Sequence, residues 1–426
     1  MADNLFSRGR RRPLVLDGGL ATELETAHAK DLSGSLWSAR ILLDDPDSIL
    51  AVHRAYLAAG AQIITTATYQ ASVAGFHREL ALTPSEAAAL MHSSLRLAED
   101  AITAHVAADA ATTQRVEEEE EEEAFPPAIA VSLGCFGATL ADGSEYTGVY
   151  PPYADEDYLC EFHVARALAV LNGDSGGRGT PPPPTMTTTT TTPPNSMQNP
   201  LLLLHLLLFE TIPSLLEARA IARALAHPAL SVYPAGVAFS CGTATTVRCG
   251  ATLRECIDAL LLLRRPSADD DDDASSASSS AAAAAPPPPP PRAPLAMVGV
   301  NCTQPHLCAS LVRIAAAAVA EAAAASSAVS AKSHSSGGKK PPTTLVVCYP
   351  NSGEVYNPVT KTWSGPGGGN GEAGPDAWWA GWCKEWLAAG ADVIGGCCRT
   401  RPRHIEAIAR LKKNAMKEKG LLHVQP

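Results

Sequence analysis

The stretch "DPDSILAVHRAYLAAGAQIITTATY" (residues 45–69) contains one complete unit of the fold. Asp45 and Pro46 open a helical pattern, since aspartate caps a first turn and proline tolerates the first helical position. Gly60 stops it, as helix C-termini prefer. Residues 61–69 then form a short apolar run, and the unit reads as helix followed by strand.

The same alternation recurs along the chain. Apolar runs lie at residues 13–19, 61–69, 128–134, 201–211, 234–240, 297–303, 344–350 and 391–398. Each is followed by a helical pattern. Continuous apolar runs of this length fit strands buried on both faces, as in parallel sheets. Eight alternations therefore point to a (β/α)8 TIM-type barrel spanning residues 13–413. The runner-up is an open doubly wound sheet, but no G-x-G-x-x-G follows the first strand.

Four low-complexity stretches interrupt the pattern, near residues 110–126, 172–199, 265–294 and 323–342. Their Glu-, Thr/Pro-, Asp/Ala/Pro- and Ala/Ser-rich compositions lack the apolar surface that folding requires, so they are expected to be disordered inserts. Each falls after a helix and before a strand, which in a barrel is the face opposite the active site. Residues 1–12 read as a disordered N-terminus and 414–426 as a tail.

Composition narrows the function. The 426 residues carry a net charge of −11, but Glu117 to Glu123 and Asp269 to Asp273 supply twelve of the negative charges. Without those two runs the balance is +1, so the acidity says little about a ligand. No basic patch with interleaved aromatics points to nucleic acid. The basic N-terminus has no apolar stretch behind it and makes a poor signal peptide. The run at residues 201–209 is too short to span a bilayer, and the alanine-rich stretch 314–331 reads as a helix running into a linker. The expected partners are small molecules rather than nucleic acid or membrane, and the expected location is cytoplasmic. Eleven scattered cysteines do not look like a secreted disulfide framework.

Three of those cysteines end strands. Cys302 closes "VGVNCT", and Cys397 with Cys398 closes "ADVIGGCC". In a barrel all three project toward one open mouth. Three thiolates there would make a zinc site with a free fourth position. The competing reading is three buried thiols at tight strand ends; a disulfide between adjacent cysteines is strained. Gly395 and Gly396 are expected to let the backbone turn so that both sulfurs converge. Cys135 and Cys348 read as small buried residues.

Charge selects the chemistry. Three thiolates on Zn²⁺ leave the site near −1, a weak Lewis acid better suited to holding another thiolate ready to attack. Alkyl transfer to sulfur is the expected reaction. Glu210 ends a strongly apolar strand, and such a carboxylate suits an ammonium group; helix capping is its alternative role. Asp17 sits at the end of the first strand and reads equally as a turn residue before Gly18 and Gly19. Thr66 and Thr68 share a strand face, where β-branched residues are common filler. The loops after the third and seventh strands are long and compositionally complex, as expected at a barrel's catalytic end.

Taken together, "LDGGLATELE", "GAQIITTATYQAS", "SLGCFGATLADGSEYTGVY", "FETIPSLLEA", "VGVNCTQP", "YPNSGEVYN" and "GADVIGGCCRTRPRHIEAI" resemble the homocysteine S-methyltransferase family. The match runs in order from about residue 13 to 413, outside the four inserts. "TYQAS" and "GSEYTG" look closest to the branch using S-methylmethionine or S-adenosylmethionine rather than betaine. The resemblance implies a zinc-dependent barrel that methylates L-homocysteine to methionine. It places the zinc ligands on Cys302, Cys397 and Cys398 and the ammonium contact on Glu210. Further substrate contacts fall on Asp17, Gly18 and Thr66. Methylation of selenocysteine or another thiol, and a non-catalytic zinc or thiol-binding barrel, are the alternatives. The glycine-rich stretch 365–374 departs from the family pattern on the active-site side.

Overall fold

The opening stretch folds as its residues dictate. Asp45 accepts a hydrogen bond from Ser48 N at 3.3 Å and caps helix Pro46–Ala58, with Pro46 in its first turn. Gly60 follows with φ of +96°, a left-handed conformation open to glycine. The strand after it, Ile63–Thr65, is shorter than the apolar run around it.

The computed structural model describes residues 12–113, 126–173, 205–262, 294–332, 344–357, 362–364 and 375–418. Among them, eight parallel strands form one sheet. In chain order the strands are β1 (Leu14–Val15), β2 (Ile63–Thr65), β3 (Ala128–Gly134), β4 (His205–Ile212), β5 (Ala235–Phe239), β6 (Leu295–Asn301), β7 (Leu345–Tyr349), β8 (Val355–Asn357), β9 (Thr362–Ser364) and β10 (Val393–Ile394). The sheet runs β1-β10-β7-β6-β5-β4-β3-β2. Its two edges meet through a bridge between Leu16 and Ile63, with Gln62 N donating to Val15 O at 2.7 Å. The sheet is thereby a closed barrel.

Alternation along each strand divides the apolar side chains between two cores. Leu14, Ile63, Ala130, Leu208, Met297 and Val347 belong to the cluster filling the barrel. Ile129, Val131, Phe209, Val237, Val298 and Cys348 belong to the cluster beneath the helices. Both strand faces are thus dry, which is why the strands read as unbroken apolar runs.

Eight helices match the sequence expectation: Pro46–Ala58, Pro84–Thr113, Glu156–Asn172, Leu215–Ala224, Leu253–Leu262, Pro305–Lys332, Pro375–Ala389 and Pro402–Glu418. Four shorter ones, including Leu20–His28 and Phe136–Leu140, fall in loops where the sequence pattern shows no helix. The helix from Pro305 enters the alanine-rich stretch 323–342 as far as Lys332, as alanine's high helix propensity favours. By length and composition its first 23 residues could cross a membrane. Cys308, Leu311, Val312, Ala315 and Ala318 instead bury a stripe of it in the protein core. β8 and β9 form an antiparallel hairpin inside the loop after β7, a region with no strand signal in the sequence pattern. The interiors of the four low-complexity stretches, both termini and residues 365–374 lie outside the described residues.

Candidate metal centre and active site

β6 delivers Cys302 and β10 delivers Cys397 and Cys398 to one end of the barrel, where the chain leaves each strand. Cys302 takes φ of +47°, a left-handed conformation uncommon outside glycine, and its N–H donates to Tyr349 O at 3.3 Å. Beyond β10, Gly396 N donates to Asp17 O at 2.9 Å and Cys397 N to Pro350 O at 2.7 Å. Ser352 N donates to Cys398 O at 3.0 Å. These bonds to neighbouring loops replace the ladder and set both cysteines facing the same way.

The glycines before them act differently from expectation. Neither Gly395 nor Gly396 takes a left-handed conformation; Arg399, after the cysteines, has φ of +65°. What the glycines supply is close approach. A Cβ on Gly396 would lie 2.2 Å from Thr400 Oγ1, and one on Gly395 would lie 2.7 Å from Leu16 Cβ. Any side chain there would push the cysteine loop off β1.

The three sulfurs lie within 4.8 Å of one another and can hold a metal ion. Cys302 Sγ is 3.8 Å from Cys398 Sγ, which is 3.9 Å from Cys397 Sγ. Hydrogen bonding with Cys397 and Cys398 holds the Cys302 thiol well below its ordinary range. All eleven cysteines are free.

All seven residues singled out from the sequence border one cavity of about 540 Å³: Asp17, Gly18, Thr66, Glu210 and the three cysteines. Glu210 is 8% exposed, on β4 within the register shift between Phe209 and Ile212. It accepts from Ser132 Oγ and from Tyr349 Oη, the latter at 3.1 Å. Burial pushes its pKa up to about 7, against the pull of those two donors. Asp17 accepts from Thr65 N at 2.7 Å, and burial likewise raises it to about 7. Thr66 Oγ1 lies 2.7 Å from Thr68 Oγ1 and accepts from Ser132 N at 3.0 Å, so its hydroxyl ties β2 to β3. Gly18 lets the chain pack closely, since a Cβ there would lie 2.8 Å from the Tyr56 ring.

Several residues that shape the site carried no role in the sequence reading. Asn301 links the strained backbone of β4 to the thiols. Its Oδ1 accepts from Thr211 N at 2.7 Å, and its Nδ2 lies 3.9 Å from Cys397 Sγ. Thr211 has φ of +61°. Ser132 and Tyr349 orient Glu210. Arg166 is buried and donates to four backbone carbonyls, those of Thr68, Tyr69, Ala71 and Gly134, at 2.6 to 3.1 Å. It clamps the loops that leave β2 and β3. The one available signal was position: Ser132, Asn301 and Tyr349 are polar residues at the C-terminal ends of apolar strands. Arg166 gives no such signal, because it sits in a helix.

Known proteins resemble this chain in sequence and in fold. The family profile described as homocysteine S-methyltransferase matches residues 14–177 and 203–411. The chain is 32% identical over 399 residues to homocysteine S-methyltransferase YbgG of Bacillus subtilis (strain 168), covering 93% of each chain. It is 30% identical to a selenocysteine Se-methyltransferase of Brassica oleracea var. italica, covering 92% of this chain and 87% of the relative. The metallated form of the Escherichia coli homocysteine methyltransferase MmuM superposes with a TM-score of 0.62 at 25% identity, covering 96% of this chain and all of the other. With its closed barrel, its cavity and the motifs that line it, the chain belongs to the homocysteine S-methyltransferase family.

Proposed function

We propose that the protein is a zinc-dependent enzyme that transfers a methyl group from a sulfonium donor to L-homocysteine, giving methionine. Cys302, Cys397 and Cys398 would hold the ion. The observation that carries this reading is the sulfur spacing of 3.8 and 3.9 Å at the cavity wall. A tetrahedron with zinc–sulfur bonds of about 2.3 Å has edges of about 3.8 Å. Bound there, zinc would supply charge that keeps the acceptor's sulfur ionised at neutral pH.

The chain's own residues do the rest. Glu210 receives the acceptor's ammonium group, and Ser132 with Tyr349 keeps the carboxylate aimed. Asp17, Gly18 and Thr66 complete the acceptor's contacts on the same cavity. The methyl group of a sulfonium is already activated and its leaving group is a neutral thioether, so no general acid is required. Positioning and exclusion of water then account for the rate. The eleven free cysteines fit a reducing cytoplasm.

The test is methionine formation from homocysteine with S-methylmethionine, S-adenosylmethionine and betaine in parallel, alongside zinc content. The sulfonium donors should work and betaine should fail, with about one zinc per chain. Full activity in metal-free protein sinks the zinc reading. The relative named for selenocysteine favours a second acceptor, so selenocysteine belongs in the same assay at equal zinc occupancy.

A further inference from the structure

Two motifs, "TYQAS" and "GSEYTG", take no part in holding the thiols or Glu210, yet both reach the cavity. Gln70 and Glu145 line it. Gln70 donates Nε2 to Ala138 O at 2.8 Å, which fixes its amide and leaves Oε1 as a free acceptor. That Oε1 is buried and finds no hydrogen-bond partner among the described residues. Glu145 Oε2 is in the same condition. Leaving a buried acceptor unpaired costs about 1–3 kcal/mol, and more when it is charged. Two such atoms on residues that line one cavity point to a ligand that supplies the donors.

Both are rigidly placed. Glu145 lies in the short turn Ser144–Tyr146, which Asp142 closes by accepting from Ser144 N at 2.9 Å. The turn packs on helix Phe136–Leu140, where a Cβ on Gly137 would lie 2.6 Å from Glu145 N. The next residue of that helix, Ala138, holds Gln70. One short helix thus anchors both acceptors. The surrounding field favours a cation. Six carboxylates line the cavity against one lysine, and that lysine, Lys30, is paired with Asp45.

We propose that Gln70 Oε1 and Glu145 Oε2 form the subsite for the α-ammonium group of the sulfonium donor. This rests on the methyl-transfer reading above, in which Glu210 takes the acceptor's ammonium. An ammonium carries three N–H donors, enough for a carboxylate oxygen and an amide oxygen together. The choice of ammonium over sulfonium follows from the chemistry. The acceptor's sulfur uses a lone pair to form the new S–CH3 bond. The old S–CH3 bond breaks with its pair staying on the donor sulfur, which becomes a neutral thioether. A carboxylate against the sulfonium would therefore stabilise the ground state more than the transition state. The ammonium keeps its charge throughout, so binding it favours both states equally. Glu145 and Gln70 transfer no proton and act on donor affinity.

The experiment uses full-length zinc-loaded protein and S-methylmethionine, read by calorimetry and by steady-state kinetics. Glu145→Gln should raise the donor's Kd and KM at least tenfold, while kcat at saturating donor, homocysteine KM and zinc content stay within about twofold. Gln70→Leu should weaken donor binding less. Glu145→Asp, which keeps the charge, should recover part of the affinity and serves if the glutamine variant melts early. Trimethylsulfonium has no ammonium group and should bind wild type and Glu145→Gln equally. An unchanged Kd for S-methylmethionine, or equal losses for trimethylsulfonium, would overturn the subsite. So would a rise confined to homocysteine KM. Wild-type protein that binds S-methylmethionine but forms no methionine would refute the catalytic reading and leave the subsite standing.

Discussion

Glu210 and Glu217 stand seven positions apart, and both are buried, yet they belong to different worlds. Glu217 lies in the helix after β4 and is closed in by donors: Phe136 N at 2.7 Å, His163 Nε2 at 2.9 Å and Tyr150 Oη. Its side chain has no exposed surface. Glu210 has two donors and borders the cavity. Burial alone therefore does not mark a functional carboxylate. A closed donor set marks a structural one, and an open side leaves room for a ligand. Glu217 fixes the loop after β3, which carries Glu145, so it serves the site from a distance.

The sharpest way to break this comparison is to truncate Glu217. Glu217→Ala strands three buried donors and should lower unfolding stability by about 4 kcal/mol, read by urea denaturation. An unchanged midpoint would show that the network is dispensable. Glu210→Gln keeps the shape and removes the charge. The homocysteine KM should rise about 100-fold with little change in kcat. A fold as stable as wild type would accompany that loss at pH 6.

pH tests the cavity acids directly. Burial raises Glu210 and Asp17 to about 7, above the ordinary carboxylate value they keep in the unfolded chain. Their protonated forms are the ones that favour the fold. That contribution is complete below about pH 4 and is lost as pH rises to 7, by at most about 3 to 4 kcal/mol per group. Metal-free wild type should thus lose stability between about pH 4 and 7, and Glu210→Gln should flatten part of that slope. A slope of the opposite sign would contradict the burial argument. The smallest effect is expected at Asn301. Asn301→Ala removes bonds to Thr211 and the contact to Cys397, and should weaken zinc retention about tenfold against a chelator.

Much of this was readable in the sequence. The barrel follows from apolar runs whose length and continuity reflect burial on both faces. Cys302, Cys397, Cys398 and Glu210 were legible because strand ends are where barrel enzymes place polar groups. Arg166, Glu217 and His163 were not. Each sits in a helix, and nothing local distinguishes a buried helical arginine from a solvated one. Their burial depends on which helix packs against which strand end. The role of Gly395 was misjudged for the same reason, since its close approach involves Leu16, far away in the chain, and that of Gly396 because it depends on how the turn folds Thr400 back onto it.

The contact between Gly19 and Thr400, 381 positions apart, bears on how the protein is made. β1 pairs with β10, so the first strand to leave the ribosome waits for the last. Cys302 emerges nearly a hundred residues before its two partners. Until they arrive it is a lone thiol on an unfinished sheet. A metal held by the three sulfurs would accordingly be taken up late, after synthesis has passed β10, and a chain cut short before Cys397 would carry neither a closed barrel nor a complete set of sulfurs.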